Sequence, residues 1–305
     1  MRDLQRTIID ELGVKPSVYA PAEVEERVEF LADYLEATGA AGFVLGISGG
    51  VDSTAAGRLA QLAVERVRAR SGLTDAVVMG HRGPIDPGHM PRPTRETTPS
   101  PSRENPLFTA VRLPYRAQAD EADATAAMQF VGADEQLTLN IAEGTDGLAA
   151  AFEEATGRQI GDVNKGNVKA RLRMTAQYAL AGEHGRLVIG TDHAAESVTG
   201  FFTKFGDGGA DVLPLAGLNK RQVRDVARSL GAPEHLWQKV PTADLLDGQP
   251  GRTDEDELGL RYDDIDDYLE GREVPAEVAE KIEAIWLRTR HKRTTPVGPR
   301  EAWWR

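Results

Sequence analysis

Residues 42–53 read Gly-Phe-Val-Leu-Gly-Ile-Ser-Gly-Gly-Val-Asp-Ser, and the change of pattern inside this stretch decides the fold. Gly42 to Ile47 is a short apolar run that stops at Ser48-Gly49-Gly50, as a buried parallel strand would. From Ser53 onward Ala56, Leu59, Ala63 and Val67 recur on one helical face. Gly49 and Gly50 let the chain turn tightly between the two and aim successive amides at one point. The helix adds its own free amides and the positive end of its dipole. A concavity of this kind binds an anion, most naturally phosphate or pyrophosphate. Ser48 and Ser53 put hydroxyls at its rim. Asp52 would repel a bare phosphate and makes sense when a divalent cation lies between the two. No lysine follows the glycines, so the GxxxxGK[ST] loop is absent, and GxGxxG does not match either.

Working outward, further candidate strands are Asp75 to Met79, Leu107 to Leu113, Leu137 to Ile141 and Arg186 to Gly190. Helical patterns fall before and between them: an amphipathic Met1 to Gly13, the Val24, Val28, Leu31, Leu35 repeat, and about Asp120 to Val131, Asp146 to Thr156 and Val168 to Ala181. This alternation predicts an α/β fold, a Rossmann-like three-layer α/β/α arrangement with a parallel central sheet. Ligands then bind at the carboxyl ends of the strands. Two stretches interrupt the pattern. Residues 81–106 hold a proline-rich run, Pro84 to Pro106, with seven of the seventeen prolines, and read as an inserted surface loop through which neither helix nor strand can run. Phe205 to Leu218 contains Gly206, Gly208, Gly209 and Gly217 and reads as a loop able to approach a ligand closely. Toward the end, Asp254 to Glu270 holds nine acidic residues and reads as a solvated face with Leu258, Leu260, Tyr262, Ile265 and Leu269 as its buried side. Arg288 to Arg293 is a basic cluster.

Composition narrows the function. The 305 residues are ample for a real core and carry a net charge of −12, which disfavours a grip on nucleic acid. The chain has no cysteine, which excludes disulfides, cysteine-ligated metal sites and every thiol nucleophile. No segment approaches the roughly 18 consecutive apolar residues of a membrane span, and no apolar signal core is present, so the expected compartment is the cytoplasm.

The string Ser48-Gly49-Gly50-Val51-Asp52-Ser53 matches SGGxDS, the pyrophosphate loop of the N-type ATP pyrophosphatases. Within that superfamily the rest of the chain resembles the ammonia-dependent NAD synthetases. The resemblance is carried by Thr191-Asp192-His193-Ala194-Ala195-Glu196, then Thr199 to Asp211 (TGFFTKFGDGGAD), Leu113-Pro114-Tyr115 with Gln118 to Glu121, and Gly166 to Arg171 (GNVKAR). Leu218 to Arg221 (LNKR), Pro241 to Leu245 (PTADL), Tyr262 to Leu269 (YDDIDDYL) and His291-Lys292-Arg293 continue it in unbroken order. It implies an adenine-nucleotide α-hydrolase-like fold, a single domain over residues 1–305 with the 81–106 loop as its departure, and a homodimer. No glutaminase domain is expected, since the glutaminases that feed such synthetases use a cysteine nucleophile.

The implied reaction joins ammonia to the nicotinate carboxylate of deamido-NAD in two steps, with ATP as co-substrate and Mg²⁺ as cofactor. The carboxylate attacks the α-phosphorus of ATP and releases pyrophosphate, and ammonia then displaces AMP. By resemblance, Gly46, Ile47, Ser48, Gly49, Gly50, Val51, Asp52, Ser53, Thr191, Lys220 and Thr242 meet ATP, with Lys220 on its phosphates. Asp52 and Glu196 hold the metal. Arg171, Lys204, Asp211, His291 and Lys292 meet deamido-NAD. Step two needs neutral ammonia, so a carboxylate near the adenylate should attract ammonium and accept its proton. Asp207 is the candidate and Asp211 the competitor. The five histidines other than His291, His193 among them, show no ligand-like spacing and read as structural or solvent-facing. Two other readings stay open, another ligase built on the same loop and an inactive ATP-binding module.

Overall fold

The computed structural model describes residues 1–72, 105–116, 120–241, 247–248 and 253–304. The chain opens with helices α1 (Asp3–Leu12) and α2 (Ala20–Thr38), then strand β1 (Gly42–Gly46) and helix α3 (Val51–Arg70). There follow β2 (Leu107–Arg112), α4 (Glu121–Val131), β3 (Glu135–Thr138), α5 (Ala142–Thr156), α6 (Asp162–His184) and β4 (Leu187–Val188). The remainder is helical: α7 (Ala194–Thr199), α8 (Lys220–Ser229), α9 (Glu234–Trp237), α10 (Asp254–Leu258), α11 (Tyr262–Leu269), α12 (Ala276–Arg288) and α13 (Arg290–Arg293).

Among the described residues the four strands form one parallel sheet in the order β3-β2-β1-β4. Period-two alternation buries β1 and β2 on both faces, as their continuous apolar runs require, while the edge strand β3 is largely exposed. Phe43, Leu45, Phe108 and Ala110 face the core shared with α2, α3 and α8, while Val44, Val111 and Val188 pack with Ile141 and Ala181 on the other side. A second apolar cluster joins α1, α7, α11 and α12 through Ile8, Val198, Ile265 and Ile282, all fully or almost fully buried. This helical layer carries the carboxyl-terminal half of the chain against the mouth of the sheet.

Several boundaries depart from the sequence reading for local reasons. The expected strand Leu137 to Ile141 is displaced to Glu135–Thr138, because it pairs in register with Thr109 to Arg112. Beyond that register β2 gives way to Leu113-Pro114. The proline offers only a carbonyl, which accepts from Ile141 N at 2.9 Å as that residue turns into α5. The acidic run folds as two helices, broken at Gly259 with φ +60°. It is also not wholly solvated, since Asp254 and Asp266 are 7% and 1% exposed. The candidate strand Asp75 to Met79 and nearly all of the 81–106 loop lie outside the described residues.

Candidate functional site

The loop between β1 and α3 is built on one demanding position. Gly49 has φ +89°, and a Cβ there would stand 2.8 Å from the backbone nitrogen of Ala124, at the first turn of α4. Only glycine permits that close approach in that conformation. Gly50 caps α3 with ordinary extended dihedrals and no side-chain cap, which leaves the first amides of the helix to an incoming acceptor. Ser48 and Ser53 lie with their hydroxyl oxygens 3.1 Å apart, and Gly50 N donates to Ser48 Oγ at 3.3 Å. Behind the loop Gly46 N donates to Gln177 Oε1 at 2.7 Å, so α6 fixes the strand end.

Asp52, in the first turn of α3, meets Lys220 from the start of α8, and both its oxygens accept from Nζ, at 2.9 and 2.7 Å. The lysine is 1% exposed and its backbone is held firmly. Asn219 and Gln222 form a reciprocal capping box, and Asp266 of α11 accepts from the amides of Lys220 and Arg221 at 2.9 and 2.8 Å. Burial holds the Asp266 carboxyl up at about 6 against those two donors. The C-terminal layer thus positions the cation opposite the loop.

His193 and Glu196 complete the cluster from α7. His193 Nε2 lies 3.5 Å from Asp52 Oδ1, 3.7 Å from Glu196 Oε2 and 3.4 Å from Lys220 Nζ. This fully buried histidine is therefore part of the site, contrary to the reading that set it aside. The signal that pointed to it is its i,i+3 spacing from Glu196, which puts both on one side of a single helical turn. Burial, then the Lys220 charge, pushes the imidazole down to about 3, so it is neutral, and its Nε2 lone pair faces the Lys220 ammonium.

The carboxylates in and beside the cavity divide by environment. Burial pushes Asp52 up, but Lys220 outweighs it and holds the carboxyl below the usual range. Burial and then the Asp52 charge drive Glu196 well above its ordinary value. Asp192 is pushed up to about 7 by burial, then by Asp207 and Asp52. Asp207 is also raised by burial, against the amide of Thr203, which donates to it at 2.9 Å. Crowded acids of this kind are relieved by a cation. Asp52, His193 and Glu196 each offer one ligand atom, all within 4.8 Å of one another, a donor set that fits a divalent ion.

Asp52, Glu196 and Lys220 line a cavity of about 310 Å³ at the carboxyl ends of β1, β2 and β4, together with Ser48, Thr191, Asp207 and Gly46, while His193 is fully buried behind them. Several lining residues escaped sequence reasoning, Lys239 and Asp254 among the charged ones. Lys239 pairs with Asp120 and with Asp123, the latter at 2.9 Å, and Asp254 accepts from Tyr262 Oη at 3.1 Å. Neither has a motif around it that announces its role.

The residues matched to the dinucleotide substrate gather beside the cavity around the glycine-rich loop. Arg171 donates to Lys204 O at 3.2 Å, Lys204 donates to His291 O, and Lys292 donates to Gly200 O and Phe202 O at 2.8 and 2.7 Å. Burial lowers the Lys292 ammonium, with the Asp207 charge opposing. Asp211 stands apart. Its oxygens accept from Tyr178 Oη at 3.1 Å and from Val188 N at 2.7 Å, which ties it to α6 and β4. Thr242 lies outside the described residues.

Comparisons with known proteins identify the family. The family model for NAD synthase matches residues 23–296. An NH(3)-dependent NAD(+) synthetase of Bacillus cereus (strain AH187) is 51% identical over 302 residues, 99% of each chain. An NAD⁺ synthetase structure from Burkholderia pseudomallei is 47% identical with a TM-score of 0.75, covering 96% of each chain. An NMN synthetase structure from Francisella tularensis is 33% identical with a TM-score of 0.73, covering 93% of this chain and all of that one. With a pyrophosphate-type loop, an opposed lysine and a metal-competent acid cluster in one cavity, and with full-length relatives of this kind, the chain belongs to the NAD synthase family, ligases that form a carbon–nitrogen bond.

Proposed function

We propose that this chain amidates deamido-NAD with ammonia at the expense of ATP, giving NAD, AMP and pyrophosphate. The observation that carries the reading is the single cavity that unites the open amides of the 48–53 loop, the Asp52–Lys220 pair and Asp207. In this reading the loop amides, Ser48, Ser53 and Thr191 hold the phosphates, with Lys220 supplying charge to them as pyrophosphate departs. Mg²⁺ held by Asp52 and Glu196 would neutralise phosphate charge while the anionic carboxylate approaches. Arg171, Lys204, His291 and Lys292 form the cationic wall for the dinucleotide.

Asp207 acts on the nitrogen. It is open to the cavity, and desolvation there raises its carboxyl above the ordinary range, the direction a proton acceptor needs. Asp211 already accepts two hydrogen bonds away from the cavity, which favours Asp207 of the two. The packed glycine loop around Asp207 would shield the mixed anhydride from water.

The test incubates the purified chain with ATP, Mg²⁺ and deamido-NAD, with either ammonium or glutamine, and follows NAD and AMP. NAD forms with ammonium and not with glutamine. Efficient use of glutamine by the pure chain contradicts the reading. A parallel arm with nicotinate mononucleotide should be slower, and a preference for it would assign the mononucleotide as substrate instead.

The reading carries with it a cytoplasmic homodimer. Exposed Leu148 and Phe152, one turn apart on α5, and Val163 at the start of α6 support an interface, being 49%, 40% and 66% exposed in the isolated chain. No helix among the described residues is long and apolar enough to cross a membrane. Sedimentation should return twice the chain mass of 33.1 kDa, and a monomer mass would refute the dimer.

A further inference from the structure

The ammonium of Lys220 lies against two of the three candidate ligand residues, Asp52 and His193. Nζ bonds to both oxygens of Asp52 at 2.9 and 2.7 Å and stands 3.4 Å from His193 Nε2. The ligand atoms of Asp52, His193 and Glu196 lie within 4.8 Å of one another, so Nζ is inside the reach of the donor set that fits a divalent ion. A small divalent ion binds carboxylate oxygen at about 2 Å. It would then have to share one half-buried carboxylate with an ammonium already engaging both oxygens, and like charges that close repel strongly.

We propose that Lys220 Nζ and a divalent cation compete for the Asp52 carboxylate, so that the cation binds tightly only when ATP phosphates draw the lysine away. The inference rests on the reading of Asp52 and Glu196 as metal ligands and adds to it the coupling between metal and nucleotide. The structure supplies the parts for such an exchange. The Lys220 backbone is fixed by Asp266 and by the Asn219 cap, so only the side chain has to move. Its alternative partner would lie in the same cavity, where the loop at Ser48 to Ser53 offers its amides to phosphate. Linkage then requires that nucleotide raise the metal affinity and metal raise the nucleotide affinity by the same factor. It also keeps the neighbouring acids from trapping free metal.

Mn²⁺ is the probe, because a mixed carboxylate–imidazole donor set accepts it and its bound and free forms are resolved by electron paramagnetic resonance. Titrations compare the wild type and Lys220→Met, each with and without a non-hydrolysable ATP analogue. The wild type should bind Mn²⁺ weakly alone and about ten- to hundredfold more tightly with the analogue. Lys220→Met should bind Mn²⁺ tightly without any nucleotide, and Asp52→Asn in that background should abolish the gain. A second measurement needs no variant. Saturating Mn²⁺ with the analogue should change the rate at which acetic anhydride labels Lys220, read by mass spectrometry, relative to the analogue alone. Equal Mn²⁺ affinity in wild type and Lys220→Met, or a Lys220 labelling rate indifferent to Mn²⁺, overturns the competition while leaving the metal site standing. No Mn²⁺ binding in any arm overturns both.

Discussion

Replacing Gly49 and Gly50 one at a time by alanine separates two kinds of glycine that look alike in sequence. At Gly49 the backbone is at φ +89°, and the added methyl would meet Ala124 N at 2.8 Å, Ala124 Cα at 3.0 Å and Asp123 C at 3.0 Å. All three are backbone atoms, so no side chain can swing clear. The left-handed conformation costs an L residue about 1–2 kcal/mol. Forcing the loop off α4 adds about 1–3 kcal/mol, as overpacking does elsewhere. The sum is about 2–5 kcal/mol for Gly49→Ala. At Gly50 φ is −80°, and the nearest contact to a new Cβ is Ser48 Oγ at 3.4 Å, an ordinary distance. Gly50→Ala should therefore stay within about 1 kcal/mol of the wild type, or gain slightly from the reduced freedom of its unfolded chain. The assay is thermal unfolding of both variants beside the wild type, paired with pyrophosphate release at limiting ATP. Gly49→Ala should lower the midpoint by about 5 °C or more and cut kcat/KM for ATP by at least about tenfold. Equal midpoints for the two variants would refute the claim that the loop's shape depends on its contact with α4.

Other expectations follow from single contacts. Asp266→Ala strands the buried amides of Lys220 and Arg221, and it should cost about 2–5 kcal/mol in unfolding and lower kcat, with Asp266→Asn losing less because it keeps one acceptor. Asp207→Asn should reduce NAD formation at saturating ammonium about a hundredfold or more. Asp211→Asn should chiefly lower thermal stability, and the reverse pattern would exchange their roles. The Asp192 carboxyl is raised to about 7 in the folded chain, above an unfolded value of about 3.9. Its favourable contribution is thus complete below pH 3.9 and is lost as pH rises through about 7. Asp192→Asn should accordingly be more stable than wild type at pH 8, with the advantage shrinking by pH 5, in thermal scans at the two values. A constant difference would contradict that titration.

The parts of the fold legible in sequence are those set by neighbouring residues. Gly42 to Ser53 announces strand, turn and helix, because its apolar run, glycines and helical repeat act within one stretch of chain. The same holds for α2 and α4, which carry clear periodicity. Pairing partners write no such local signal. The shift of β3 comes from its register with Thr109 to Arg112, and the inward turn of Asp266 comes from the needs of α8. In the site, Asp52, Glu196 and Lys220 were found by motif, yet the Asp52–Lys220 pair joins residues 168 apart, and only the packing of α8 on α3 reveals it. His193 was set aside because its only sequence signal is the i,i+3 spacing from Glu196, and nothing local announces Asp52 and Lys220 on its other side. Lys239 was missed for a similar reason, since its partners Asp120 and Asp123 come from the other half of the sheet sequence.

The central claim is that this cavity activates the nicotinate carboxylate by joining it to the α-phosphorus of ATP before nitrogen arrives. Deamido-NAD carrying ¹⁸O in that carboxylate tests it directly. After turnover with ammonium, AMP should contain one ¹⁸O taken from the carboxylate, read by mass spectrometry. AMP free of label, with NAD formed, would contradict the account.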